Sequence, residues 1–232
     1  VVLFSGCKTT KFVPEGSLLL DKARVKVQPQ KEQGLTKGEA NALAGDLKSY
    51  LRQKQNTEIF GFWKLQLHVY NTAPADTTSK ANKFFARNAH KVGEAPVIYD
   101  EELTAVSMQQ LAQAMQNKGY FRVEVDTVQK VKDGKMDLTY MVVANAPYTV
   151  RKYTVDIDRP EVREIAMQKQ RKVDKGMQFN AGVMDEERQR ITSRMHNKGY
   201  FYFDKSMLVY TADSSYKDNT VEVELALADY VQ

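Results

Sequence analysis

The chain has 232 residues, 42% of them hydrophobic and 27% charged, with 12 glycines and a formal net charge of +5. That balance excludes a collagen-like fibre and a disordered chain, and the length suits one large domain or two of ordinary size. One cysteine excludes an intramolecular disulfide, and no apolar run approaches the ~18 residues that a membrane-spanning helix needs.

The chain opens on Val1-Val2-Leu3-Phe4-Ser5-Gly6, an apolar tail with small residues just ahead of Cys7. This resembles a bacterial lipobox, in which the cysteine thiol receives diacylglycerol and becomes the mature N-terminus; Phe4 stands where leucine is commonest. Lipidation at Cys7 is the expectation, and it places the folded part outside the cytoplasm. No acidic cluster follows in Lys8-Thr9-Thr10-Lys11, so the periplasmic side is expected. Residues 1–16 read as signal remnant and linker, closing on the turn Pro14-Glu15-Gly16.

A strand is expected over Ser17 to Val27, where Ala23, Val25 and Val27 alternate with Arg24 and Lys26. Thr36 and Glu39 have capping-box spacing, and Ala40, Leu43, Ala44, Leu47 and Leu51 continue a helical face to about Gln53. Ile59 to Tyr70 fits both periods. Trp63, Leu65, Leu67 and Val69 alternate as in a strand, whereas Phe60, Trp63 and Leu67 share a helical face. Asn71 to Lys80 reads as a loop, Phe84-Phe85 as the start of a short segment interrupted at Gly93, and Val97-Ile98-Tyr99 as a short extended piece.

From Glu102 a helical stripe of Met108, Leu111, Ala112 and Met115 runs to Gly119, placed to end the helix in the left-handed conformation. Tyr120 and Phe121 are expected to pack back on it. Val123 to Val131 reads as a strand, Asp133-Gly134 as a hairpin turn, and Met136 to Val143 as a strand apolar on both faces, the candidate sheet centre. An alternating strand follows over Tyr148 to Ile157. Asp158 and Pro160 then mark a helix start, as cap and first-turn proline, and Lys175-Gly176 breaks that helix. A further helix is expected from about Asp185 to Asn197. Phe201 to Tyr210 and Thr220 to Ala228 read as a closing hairpin.

The phrase Met115-Gln-Asn-Lys-Gly-Tyr-Phe121 returns as Met195-His-Asn-Lys-Gly-Tyr-Phe201, 80 residues on. A helix stopped by Gly119 or Gly199 and fed into a strand, used twice, points to repeated α/β modules. The expected order in each is strand, helix, helix, strand, strand: residues 17–147 form the first module, with a helical insertion, and 148–232 the second. A rival parse cuts near residue 90 and makes three.

That order, with Asn-Lys-Gly-Tyr-Phe closing the second helix, resembles the POTRA domain of outer-membrane assembly and translocation factors. The linear pattern, from Cys7 and Pro14-Glu15-Gly16 through Leu18-Leu19 and Gly93-Glu94-Ala95-Pro96-Val97 to the two repeats, is similar to lipidated BamA- and TamA-like proteins of Bacteroidetes. The resemblance implies an α+β fold of tandem POTRA-like modules, each a three-stranded mixed sheet with helices on one face. It also implies a periplasmic arm held at the outer membrane by its lipid, preceding a β-barrel that this segment lacks. Its partners would be unfolded outer-membrane proteins and other components of the assembly machinery, with no enzymatic activity, cofactor or nucleic acid.

Such an arm would bind clients by β-augmentation, since an edge strand offers unpaired backbone groups and tolerates many sequences. In POTRA domains the strand after the second helix lies at an edge. By that resemblance the candidate contacts are Arg122, Val123, Glu124 and Val125 in one module and Tyr202, Phe203 and Leu208 in the other. Glu124 and Lys205 read equally as charges that discourage pairing.

Other chemistry is thin. His68, His90 and His196 are scattered without metal-ligand spacing, and no metal site is expected. Glu101-Glu102 and Glu186-Glu187 fall near helix starts, where carboxylates favour the dipole. Tyr120, Phe121, Tyr200 and Phe201 read as core. No nucleophile motif supports an envelope hydrolase. The alternative is a basic envelope lipoprotein that binds polysaccharide or nucleic acid without a barrel, which would need its cations gathered on one face.

Overall fold

A computed structural model describes residues 9–29, 35–216 and 218–228. Cys7 and its expected lipidation lie outside the described residues. The chain divides into two compact units. One takes the residues up to Gln28, Lys37–Leu111 and Val125–Val142; the other takes Pro29–Thr36, Ala112–Glu124 and the residues from Val143 onward.

The strands are β1 (Leu19–Val27), β2 (Val123–Lys132), β3 (Lys135–Ala144), β4 (Thr149–Asp156), β5 (Leu208–Asp213) and β6 (Thr220–Leu227). The helices are α1 (Lys37–Leu47), α2 (Leu65–Asn71), α3 (Lys80–Val92), α4 (Glu101–Asn117), α5 (Pro160–Ala166) and α6 (Ala181–Asn197). Two three-stranded sheets result, ordered β1-β3-β2 and β4-β6-β5. In each, the first strand runs parallel to the central one, and β5 runs antiparallel to β6. The fold is α+β with two mixed sheets.

Alternation decides which face is covered. On β3, Met136, Leu138, Tyr140 and Val142 are buried while the residues between them are half-buried. That strand is central, as its pattern suggested, although only one of its faces is closed. On β6, Val221, Val223, Leu225 and Leu227 point to one side. There Leu225 and Leu227 meet Val162, Ile165 and Ala166 of α5 and Ile191 and Met195 of α6, and Val221 and Val223 meet Val173, Phe179 and, from α6, Met184. Each such leucine or isoleucine contributes about 2 kcal/mol by leaving water.

The two sheets repeat details that no composition argument would supply. The register of β1 on β3 slips between Leu20 and Lys22, and that of β4 on β6 slips at the corresponding place, between Val150 and Lys152. A short strap then pairs with the outer side of each first strand. Leu20 N donates to Val97 O and Tyr99 N to Leu18 O, both at 2.8 Å; Val150 N donates to Met177 O at 2.7 Å and Phe179 N to Tyr148 O at 2.8 Å. The residue after each strap caps the next helix: Asp100 accepts from Leu103 N at 2.9 Å, and Asn180 from Gly182 N at 2.9 Å.

Several expectations change. Residues 59–70, which fit both periods, settle as a turn and a helix: Ile59 and Trp63 close a turn through Phe60 and Gly61, both at positive φ, and α2 follows with Leu67 fully buried. Lys64, ahead of α2, turns its ammonium inward onto the Asp21 carboxylate at 2.8 Å. The face of α1 stops at Leu47, and a 3₁₀ turn and extended chain carry on to Leu51. Arg159, not Asp158, holds the N-cap position of α5 and its side chain does not cap the helix, so Pro160 at the first position sets the start. That helix ends at Ala166, well before Lys175-Gly176. The last helix begins at Ala181 because Asn180 caps it, which moves Glu186 and Glu187 out of the first turn. The final hairpin is shorter than its apolar run. Phe203 buries into the core, and the Asp204 carboxylate accepts from Ser206 N at 2.8 Å, curling Lys205–Met207 into a 3₁₀ turn before β5.

Candidate functional site

Each sheet has two edge strands. The β1 edge is closed at its start by the Val97–Tyr99 strap, and beyond it Gln55 Oε1 accepts from Ala23 N at 2.6 Å. The β4 edge is closed at its start by Met177–Phe179. The outer sides of β2 and β5 carry no strand partner among the described residues.

Turn geometry fixes which amides of β2 face outward. Asp133 and Gly134 have φ of 51° and 72°, the two-residue turn that keeps flanking residues in a hydrogen-bonded pair. The same register reappears ten residues away, where Asn145 N donates to Arg122 O at 3.1 Å. Even-numbered residues of β2 therefore bond to β3, and odd-numbered residues point their N–H and C=O outward. One outward amide is occupied, since Thr127 N donates to Asp126 Oδ1 at 2.7 Å. Those of Val123, Val125, Gln129 and Val131 face away from β3.

The second edge is shorter and more occupied. Ala228 N donates to Met207 O at 2.9 Å, so the even-numbered residues of β5 face outward. Leu208 uses its amide on Lys205 O, and its carbonyl accepts from Arg188 Nη1 at 3.4 Å. Arg188 also bonds Asp185 at 2.6 Å, and Lys205 reaches the same carboxylate at 2.9 Å. The Lys205 hydrogen bond, opposed by slight burial and joined by Arg188, holds the Asp185 carboxyl below its ordinary value. This charged cluster leaves Tyr210 and Ala212 as the outward positions still open.

The expected contact residues are thus placed unequally. Val123, Glu124 and Val125 lie in β2, with Arg122 immediately before it. Leu208 opens β5 with its side chain buried, while Tyr202 and Phe203 precede the strand, the first exposed and the second in the core. Gly119 and Gly199 end their helices at φ of 93° and 94°. Both close with the same paired bonds: Tyr120 N to Met115 O and Gly119 N to Gln116 O, then Tyr200 N to Met195 O and Gly199 N to His196 O.

Three features escaped sequence reasoning. Glu187 is fully buried and binds Arg190 through both carboxylate oxygens, at 2.7 and 2.8 Å, while also accepting from Lys172 N at 2.9 Å. That bonding, against the pull of burial, raises the Arg190 guanidinium further above its usual value. A charged residue three positions before an arginine on a helix was the available signal. Phe60, Phe62 and Trp63 are exposed around Gly61, a cluster hidden by the strand-or-helix ambiguity. A cavity of about 620 Å³ lies against the outer side of β1, lined by Lys22, Arg24, Lys26, Lys48, Lys64 and Lys135 together with Asp21 and Glu58.

The histidines stay apart. His90 stacks on Tyr70 at 4.2 Å, and His196 Nε2 meets Phe203 O at 2.7 Å. Among the described residues no group of three or more His, Cys, Asp or Glu could hold a metal ion, and no helix is long and apolar enough to cross a membrane.

No family model matches the sequence, and no curated protein matches it. Among solved structures it is similar to POTRA1-2 of the periplasmic domain of Omp85 from Anabaena, with 13% identity and a TM-score of 0.36 over 93% of this chain and 98% of that one. It is similar to Haemophilus influenzae BamA POTRA3-5, with 11% identity and a TM-score of 0.32 over 94% and 100%. BamA from Haemophilus ducreyi lacking POTRA domains 1-3 aligns at 16% identity and a TM-score of 0.34; the match covers 66% of this chain and 27% of that one.

Proposed function

We propose that this chain is a periplasmic POTRA-type arm of an outer-membrane assembly or translocation factor, with modules at residues 17–147 and 148–232. It binds unfolded client polypeptides or partner proteins by strand addition and performs no catalysis. In this reading Cys7 carries the lipid that tethers the arm to the outer membrane, and a barrel belongs to the same machine. The observation that carries the reading is the outer side of β2. It is ten residues long, fixed in register by the Asp133-Gly134 turn, and turns the amides of Val123, Val125, Gln129 and Val131 away from β3. Backbone recognition suits clients of varied sequence.

A photoreactive residue at exposed Glu124 should crosslink to an unfolded outer-membrane protein. Val125→Pro removes an outward N–H without touching the ladder to β3, so it should weaken that crosslink in a protein that stays folded. Undiminished crosslinking from folded Val125→Pro rejects the β2 edge.

The cationic cavity beside β1 favours a second reading, an envelope protein that holds an anionic polysaccharide. Its mark would be binding that weakens steeply with salt, whereas strand addition is insensitive to it.

A further inference from the structure

The closed turn ahead of α2 carries its rings on the outside. Ile59 N donates to Trp63 O at 2.8 Å and Trp63 N to Ile59 O at 3.1 Å, which holds the base of the turn shut. At its tip Phe60 and Gly61 stand at φ of 56° and 75°. Left-handed backbone suits glycine and is strained for phenylalanine. Phe60 is nevertheless 85% exposed and Phe62 78%, with Trp63 46% exposed beside them. The Phe60 ring therefore gains no burial to offset the strained backbone beneath it. The fold does not require the turn either, since the other sheet reaches its strap from α5 through residues 167–176 alone.

This apolar tip adjoins the cationic hollow beside β1, because Gly61 and Phe62 form part of the hollow's wall. The six lysines and arginines that line it face only two carboxylates, Asp21 and Glu58. Lys64 pairs with Asp21 at 2.8 Å and Lys22 with Asp137 at 3.8 Å, whereas Arg24, Lys26 and Lys48 form no ion pair among the described residues. Strand alternation explains two of these: Val25 and Val27 turn into the core, so exposed Arg24 and Lys26 share the opposite face of β1. All of these groups belong to the same compact unit.

We propose that the Phe60-Gly61-Phe62-Trp63 turn and the cations beside it form a docking surface for an anionic phospholipid bilayer. The rings lie at headgroup level, where aromatic side chains settle, and Arg24, Lys26 and Lys48 meet lipid phosphates. Binding at a bilayer surface combines buried apolar groups with attraction to anionic lipid, and the turn and hollow supply both side by side. An anionic polysaccharide lying in the hollow would use the cations but only one of the three rings, since Phe60 and Trp63 do not line it. This stands independently of the client-binding reading of β2 and of a lipid on Cys7.

Trp63 is the only tryptophan of the chain, so its emission reports on this turn alone. The test adds vesicles to the 232-residue chain carrying Cys7→Ser, which excludes any acyl contribution. Vesicles of phosphatidylglycerol and phosphatidylcholine in equal parts should shift the emission to shorter wavelength and carry the protein down on sedimentation. Phosphatidylcholine alone should bind it about tenfold more weakly. Phe60→Asn with Phe62→Ser, and separately Arg24→Gln with Lys26→Gln, should each weaken binding to the mixed vesicles about tenfold. Circular dichroism confirms that both double variants, altered only at exposed positions, are folded. No shift with the mixed vesicles overturns the proposal, as does equal binding to phosphatidylcholine alone or undiminished binding by either folded variant. Dextran sulfate that shifts the emission as far as the vesicles do overturns it in favour of a polysaccharide.

Discussion

Gly119 and Phe179 meet backbone to backbone, with room at Gly119 for a hydrogen and nothing larger. Its counterpart Gly199 shares the left-handed conformation but faces open space. Alanine at either site meets the strain of positive φ, about 1–2 kcal/mol. At Gly119 it must also displace a main-chain carbonyl. Urea unfolding should show Gly199→Ala costing about 1 kcal/mol and Gly119→Ala at least about 3 kcal/mol. Equal losses would contradict the close approach.

The buried Glu187–Arg190 pair offers a second test. Glu187→Gln leaves the guanidinium uncompensated in the interior, and the expected loss is about 3–5 kcal/mol. Glu187→Leu combined with Arg190→Met removes both charges together and should recover much of it. A double variant no better than Glu187→Gln would show that the hydrogen bonds to Lys172 N and Ile165 O, not the charge pair, hold this region.

Acid should loosen the first sheet through Asp21. Burial alone would raise its carboxyl, but the hydrogen bond and charge of Lys64, with Lys135 and Lys22, hold it below the ordinary value. A depressed folded value means that the contribution is complete above the unfolded value, about 3.9, and is lost as pH falls through the folded one. At pH 7 Asp21→Asn should therefore lower stability, and the gap to the parent should close below about pH 3. A gap constant from pH 7 to pH 2.5 would mean that Asp21 contributes by shape alone.

Tyr140 is fully buried, and its hydroxyl meets no hydrogen-bond partner among the described residues. Tyr140→Phe should leave stability unchanged or raise it by about 1 kcal/mol. A loss beyond about 1 kcal/mol would reveal a partner for that oxygen.

What could be read in advance was whatever local chemistry decides alone. Gly119 and Gly199 had to stop helices, Asp133-Gly134 had to turn, and the double-sided apolar run of Met136 to Val143 had to lie between other strands. What stayed open or was misjudged came where a distant group decides. Ile59 to Tyr70 resolved as turn and helix in a setting where Lys64 reaches Asp21, more than forty residues away in sequence. Phe201 to Met207 has strand-like residues, but burial of Phe203 and the Asp204 turn take those positions first. The start of α6 was misplaced because Asn180 followed by Ala181-Gly182 carries no apolar period to announce a helix. At the candidate site, the resemblance to POTRA domains implied β2 as an edge, whereas the plugs at Thr127 N and Leu208 O depend on single side-chain bonds.

Strand addition on β2 is tested most directly by amide hydrogen exchange, read residue by residue while an unfolded outer-membrane protein segment is added. The odd-numbered amides at Val125, Gln129 and Val131 should slow on binding, and the even-numbered ones, already bonded to β3, should not change. Saturating client that leaves those odd-numbered amides exchanging freely would contradict the reading.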